Sequence, residues 1–244
     1  MESHTAFQAG SLLERCWGVL ATVMAVIYTM VVSPIAALVA PFAGGRGVDV
    51  LGRIWSRAII RTSGVKVEFR GLDHLRGLDG CIVVTNHQSM FDIFALLGYL
   101  PHPVRFVAKK ELLKIPAFGY ALWRSGHIVI GRQEGGREVR RAVKIARRGF
   151  AVVFFAEGHR FGDGRIHPFN EGAAWLGLLT RLPCVPLAIS GSGAIHPRGA
   201  LTIRPHRTIR LSFGAPIPTA NLRSSDRAQL TQTLQRQVEE LFQG

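Results

Sequence analysis

The stretch CIVVTNHQSMFD, residues 81–92, decides how this chain is read. Its first half is an unbroken apolar run with no alternation, the pattern of a short strand covered on both faces of a sheet. Its second half turns polar at Asn86 and His87 and reaches Asp92 just before the apolar, helix-like IFALLGYL of residues 93–100. A buried strand that runs through a polar loop into a helix is one unit of an open α/β sheet, and such sheets take their ligands off strand ends. His87 and Asp92 are five positions apart, a spacing that does not share one face of a regular helix. If the chain turns between them, the carboxylate reaches the imidazole and fixes its tautomer. The pair is then a general base suited to an alcohol. The competing reading makes Asp92 a helix cap and His87 a satisfied surface histidine. No GxSxG elbow exists to recommend Ser89 as a nucleophile.

Working outward, the same unit repeats. VKVEFRG alternates and then turns into GLDHLRGLDG; RFVAKK (105–110) and HIVIGR (127–132) read as strands, with a helical IPAFGYALWRSG between them. Residues 134–148 read as a helix, with Val139, Val143, Ile145 and Ala146 on its apolar face. AVVFFAEG (151–158) is the most hydrophobic strand candidate and opens into a polar, glycine-rich loop through Asn170. A short helix over 171–180 precedes the buried strand CVPLAISG. TIRPHRTIRLSFG supplies one or two strands, and a helix follows from Ser225. The alternation predicts an α/β fold, with a central, mostly parallel mixed sheet flanked by helices.

The N-terminus is different in kind. Residues 16–45 are 30 consecutive residues without a charge, long enough to cross a bilayer core that needs about 20. Pro34 and Pro41 interrupt helical hydrogen bonding, and Ser33-Pro34 is a natural breaking point. Two forms are therefore open: a spanning helix, or a broken helix that enters and leaves one leaflet. A cleaved signal peptide is the weaker reading, because the apolar run is long and no strong cleavage site follows it. Arg53, Arg57 and Arg61, mixed with Leu51, Ile54, Trp55, Ile59 and Ile60, suit an interfacial helix on anionic headgroups or a helix packed on the following domain. The chain thus divides into a membrane-anchoring helical region, residues 1–64, and a catalytic domain, residues 65–244. The arginine-rich flank places that domain on the cytoplasmic side of a membrane, expected to be the cell inner membrane.

Lys and Arg total 30 against 16 Asp and Glu, a formal net charge of +14. That excess attracts polyanions in general: nucleic acid, an anionic bilayer or a phosphorylated substrate. An RNA-binding role lacks an aromatic platform, so no nucleic acid is expected. The three cysteines, Cys16, Cys81 and Cys184, are far apart, form no zinc spacing and read mostly as small hydrophobes. No metal site is expected either.

Two further strand ends carry chemistry. Arg132 and Arg160 are fixed cationic forks that suit phosphate or carboxylate, and each sits near a glycine that permits close approach. Surface arginines are the alternative for either. Glu157 ends the run AVVFFA, where a carboxylate is costly unless it is paired or functional. It can balance Arg160 or Arg132, or accept a bond from a substrate hydroxyl. Lys109 and Lys110 add positive potential at another strand end.

Taken in order, these segments resemble the glycerolipid acyltransferases, whose best-known members convert 1-acylglycerol-3-phosphate to phosphatidic acid. The first family motif, NHxSxxD, appears as NHQSMFD (86–92). The second appears as GHIVIGR, ending at Arg132. The third, usually FPEGTR, is FAEGHR (155–160) here. The fourth, apolar–proline–apolar, is VPLAI (185–189). KKELLKIPAFG (109–119) is also similar. The resemblance implies His87 as general base, Asp92 as its orienting partner, and Lys109, Arg132, Glu157, Gly158 and Arg160 as acceptor-binding residues. Ala156 and His159 replace the usual proline and threonine, so they are candidate specificity positions.

The implied reaction moves an acyl group from acyl-CoA or acyl-acyl carrier protein to a lysophospholipid hydroxyl, with lysophosphatidic acid the first expectation. It needs no cofactor beyond the donor; its partners are membrane lipids, the lysolipid acceptor and an acyl carrier protein if that is the donor. A lyso-ornithine lipid or another lysolipid is the alternative acceptor. A hydrolase, or a non-catalytic basic membrane-binding module, is the alternative function.

Overall fold

The computed structural model describes residues 11–114, 118–130 and 143–243. Seven strands form one sheet: β1 (Lys66–Arg70), β2 (Cys81–Thr85), β3 (Val104–Lys109), β4 (Ile128–Ile130), β5 (Ala151–Phe155), β6 (Cys184–Ser190) and β7 (Thr208–Phe213), in the spatial order β1-β7-β6-β2-β5-β3-β4. Neighbours from β6 to β4 are parallel, and β7 joins β6 antiparallel while pairing parallel with β1. This is the expected mixed, mostly parallel sheet. TIRPHRTIRLSFG contributes one strand there, β7, because its first half leaves the sheet.

Side chains that alternate along the central strands feed two cores. On one face Val83, Val153, Leu187 and Ile189 pack with Phe91, Ala95 and Leu96 of α2 (Phe91–Tyr99) and with Ile59 and Ile60 of α1 (Leu12–Thr62). On the other, Ile82, Val84, Val152 and Ala188 pack with α4 (Gly172–Thr180) and α5 (Arg227–Leu241). The short α3 (Phe118–Arg124) precedes β4. Of the helix expected over residues 134–148, residues 143–146 are described and helical, with Ile145 and Ala146 buried.

The N-terminal helix holds the main correction. Helical backbone runs through both prolines for 51 residues, which in a straight rod would be about 77 Å long. Yet Trp17 Nε1 donates to Thr62 O at 2.9 Å, Trp55 Nε1 to Thr29 Oγ1 at 3.1 Å, and the Tyr28 and Thr62 hydroxyls meet at 3.1 Å. Residues 45 positions apart can touch only if α1 folds back on itself. Ala36 and Ala40 cluster with Val48 and Leu51, so the reversal falls between Ala40 and Val48. The expected break at Ser33-Pro34 does not occur. A proline removes one helical N–H without forcing a turn, whereas the reversal segment combines Pro41 with Gly44, Gly45 and Gly47.

The second arm of this hairpin belongs to the sheet's own core. Besides Ile59 and Ile60, Arg57 Nε donates to Gly98 O at 2.7 Å. Asp49 takes both Arg105 Nη atoms of β3, at 2.7 and 2.9 Å, with Arg105 buried and stacked on Phe150. The first arm lies against residues 203–205. Ile203 N donates to Thr22 Oγ1 at 2.9 Å, and a Cβ on Gly18 would stand 2.3 Å from Ile203 O, a contact only glycine allows. Its outer side exposes Leu13, Leu20, Met30, Leu38 and Phe42.

Candidate active site

The parallel strands β2, β5, β6 and β3 end at the same edge of the sheet, where the chain delivers His87, Glu157 and the segment after Ser190. Asn86 staples that edge. Its Nδ2 donates to Ile189 O at 2.9 Å and its Oδ1 accepts from Ile189 N at 2.8 Å, which locks the end of β2 to β6.

From there the chain turns, as the spacing of His87 and Asp92 requires. Asp92 lies in the first turn of α2, fully buried, and its Oδ2 collects three donors: His87 Nδ1 at 2.8 Å, Gln88 N at 2.8 Å and Ser89 N at 2.9 Å. The two backbone donors draw the loop around the carboxylate and bring the imidazole within reach. With Nδ1 committed to Asp92, the ring's other nitrogen, Nε2, has no hydrogen bond among the described residues, and the side chain is 13% exposed. One face of the ring stacks on Phe155 at the end of β5, centroids 3.8 Å apart and planes 18° from parallel. The stack continues through Phe106 at 5.9 Å to His127 at 5.6 Å. His127 Nδ1 accepts from Phe106 N at 2.9 Å, and burial, with the nearby Arg105 charge, lowers its pKa to about 3. It is a structural, neutral histidine. Ser89 is also committed: its hydroxyl donates to His196 O at 3.0 Å.

Glu157 is buried beside His87, and among the described residues its hydrogen-bond partners are two backbone N–H groups rather than Arg160. Oε1 accepts from His87 N at 2.7 Å and Oε2 from His167 N at 3.1 Å. Burial raises its pKa, and the two backbone donors offset that only in part. The carboxylate therefore ties the loop that bears His87 to the loop that follows β5. Gly158 turns the chain there at φ +72°, with its N–H donating to Phe155 O at 3.0 Å. That conformation favours glycine. Ala156 faces inward to the second core, and its N–H donates to Thr85 O at 2.9 Å, a bond the family's usual proline cannot make. His159 is exposed and Arg160 half-buried.

The structure thus brings His87, Asp92, Glu157 and Gly158 into one constellation, with Arg160 on the adjoining loop. Lys109 is the last residue of β3, in register with Ile130 of β4. Arg132 lies outside the described residues. Phe155 and the main-chain donors of Gln88 and Ser89 were not singled out in the sequence, and Asn86 only as part of the polar cluster at its strand end, because register and loop closure give them their roles. Burial pushes the Cys81 and Cys184 thiols up to about 12, so they pack as inert apolar groups. Cys16 is exposed on the hairpin. Among the described residues, no group of three or more His, Cys, Asp or Glu is placed to hold a metal ion.

Residues 66–190 match the family model described as Acyltransferase. The chain is 35% identical over 156 residues to the chloroplast 1-acyl-sn-glycerol-3-phosphate acyltransferase of Brassica napus, covering 62% of this chain and 45% of that one. It is 28% identical over 218 residues to the human 1-acyl-sn-glycerol-3-phosphate acyltransferase beta, covering 86% and 78%. The chain spans about half the length of the plant relatives it matches, 45% of the Brassica napus protein and 58% of the Cocos nucifera one. The fold matches the crystal structure of the 1-acyl-sn-glycerophosphate (LPA) acyltransferase PlsC from Thermotoga maritima, with a TM-score of 0.76 at 23% identity over 93% of this chain and 97% of that one. With the family model matched over half of its length, the chain belongs to the acyltransferase family.

Proposed function

We propose that this protein transfers an acyl group from a thioester donor to the free hydroxyl of lysophosphatidic acid, giving phosphatidic acid. The observation that carries the reading is the His87–Asp92 cradle, which fixes the imidazole by Nδ1 and leaves Nε2 without a hydrogen bond among the described residues. Nε2 takes the proton from the acceptor hydroxyl as its oxygen attacks the thioester carbonyl. Asp92 stabilises the imidazolium without taking the proton. The tetrahedral intermediate then collapses, the C–S bond breaks, and the imidazolium proton goes to the leaving thiolate. The Phe155 face favours the charged ring by a cation–π contact. Arg160 holds the acceptor phosphate.

The relatives' names support this acceptor, and the donor is acyl-CoA or acyl-acyl carrier protein. The α1 hairpin supports work at a membrane surface. Residues 12–42 form one helical stretch long and apolar enough to cross a bilayer, and little of its most apolar window is buried in the protein. Because α1 doubles back, both arms meet the catalytic domain on the same side. The hairpin dips into one leaflet, on the cytoplasmic side.

The test is a panel of lysolipid acceptors crossed with acyl-CoA and acyl-acyl carrier protein, products read by mass spectrometry. Phosphatidic acid from lysophosphatidic acid, ahead of other lysolipids, supports the proposal. A preference for lyso-ornithine lipid, or product from water alone, overturns it.

A further inference from the structure

The segment between β6 and β7, residues 191–207, carries His196, Arg198, Arg204, His206 and Arg207 and no acidic residue. None of the four family motifs includes it. Its path is unusual because it touches both the catalytic loops and the membrane hairpin. At one end, Ser89 Oγ donates to His196 O at 3.0 Å, beside the loop that bears His87. Next, Arg198 Nη1 donates to Arg160 O at 3.2 Å, and a Cβ on Gly162 would lie 3.1 Å from Arg198 Cβ, so the two loops touch. Farther along, Ile203 N is held by Thr22 Oγ1 of the hairpin's first arm, and His206 packs against Trp17 with ring centroids 5.4 Å apart.

The charges in this strip do not cancel one another. Among the described residues, neither Arg160 nor Arg198 is paired with a carboxylate. Burial, and behind it the charge of Arg160, lowers the pKa of His196; Arg204 is lowered by burial and by Arg207. Like charges gathered at a sheet edge are unfavourable until an anion joins them, and fixed forks suit phosphate oxygens.

We infer that the segment between β6 and β7 forms part of the acceptor-binding site, with Arg198 and His196 joining Arg160 around the phosphate monoester of the lysolipid. The inference rests on the acyl-transfer reading above for the identity of the lipid, but not for the anion itself. Arg198 is a specificity residue rather than a catalytic one. It recognises the dianionic head as it reaches the site from the leaflet beside the hairpin, and it is absent from the chemistry at His87. An acceptor that lacks the phosphate gains nothing from it.

The experiment compares wild type, Arg198→Gln and Arg198→Lys, each full length in detergent micelles, by two readouts. In steady-state kinetics, Arg198→Gln raises the KM for lysophosphatidic acid about tenfold, the size of one lost charged hydrogen bond. It leaves kcat and the donor KM within about twofold, and turnover of uncharged monoacylglycerol unchanged; Arg198→Lys recovers part of the loss. In the second readout, sn-glycerol 3-phosphate raises the melting temperature of wild type, glycerol does not, and Arg198→Gln needs about tenfold more of the phosphate for the same shift. Unchanged acceptor KM together with an unchanged glycerol 3-phosphate response, in a folded Arg198→Gln protein, overturns the inference. Equal damage to donor and acceptor use overturns it as well. Wild type that turns over no lysolipid but binds glycerol 3-phosphate through Arg198 overturns the proposed reaction and leaves the anion site standing.

Discussion

Two loops meet at one edge of the sheet and are built on opposite plans. The loop of residues 86–92 is closed: Asn86, Ser89 and Asp92 are fully buried, Asp92 Oδ2 has three donors, and the His87 ring is gripped on an edge and on a face. The loop of residues 158–167 is held more lightly: its middle lends carbonyl oxygens to two side chains, Arg160 O to Arg198 Nη1 and Arg165 O to Gln88 Nε2, while Glu157 to His167 N and Gly158 to Phe155 O fix its two ends. Between them it presents exposed His159, half-buried Arg160 and exposed Phe161 to whatever approaches. The base of the proposed reaction needs one tautomer and one direction, and an over-determined loop supplies both. In the proposed function the second loop receives a charged headgroup, a role that suits its exposed side chains and an Arg160 that, among the described residues, pairs with no carboxylate. Under the proposed function, the difference assigns the reaction to the first loop and acceptor choice to the second.

Substitutions in the two loops should therefore fail in different ways. The largest effect belongs to the closed loop. Asp92→Asn keeps the carboxylate's shape and, with its carbonyl oxygen on the Gln88 and Ser89 N–H groups, still accepts from Nδ1, but it removes the negative charge that stabilises the imidazolium. The expected loss is about 10³-fold in kcat with acceptor KM little changed, measured by steady-state turnover. Arg160→Ala inverts that pattern. Acceptor KM should rise about 10–100-fold while donor KM stays put, because one charged fork is missing from the anion site. If both variants lowered kcat alone, the division between the loops would be lost. Phe155→Leu keeps volume and removes the ring face; kcat should fall about 2–10-fold, the worth of one aromatic contact, with binding of both substrates intact.

The smallest effect at neutral pH comes from His127, the far end of the ring stack. Its pKa in the folded chain is about 3, below the ordinary value of 6.5 in the unfolded chain. A depressed histidine pKa means its contribution to stability is complete above about pH 6.5 and is lost as the pH falls toward 3. The slope is up to about 1.4 kcal/mol per pH unit, by the proton the unfolded chain gains first. Urea midpoints measured across that range should fall with acid in wild type and fall less steeply in His127→Gln.

Much of this site was legible in the sequence because local pattern dictates it. A short unbroken apolar run that turns polar at Asn86 reads as a buried strand reaching a sheet edge, and the glycine at 158 marks a sharp turn after another. What was not legible depends on register and on distant contacts. Glu157 looked like half of an ion pair, and nothing local shows that its oxygens take the N–H groups of His87 and His167. Phe155 is one aromatic among 14 phenylalanines until the β2–β5 register sets it against the loop that carries His87. The Asp49–Arg105 pair joins residues 56 apart. The hairpin reversal was expected at Ser33-Pro34 because prolines are the visible breakers, but packing of Ala36 and Ala40 against Val48 places it later.

The most direct test of the central claim is turnover of lysophosphatidic acid by His87→Ala beside wild type, with melting curves to show that both are folded. The His87–Asp92 cradle requires phosphatidic acid formation to fall by about 10³-fold or more while the melting temperature stays close to that of wild type. A folded His87→Ala protein that makes phosphatidic acid at the wild-type rate would contradict the assignment of His87 as the base.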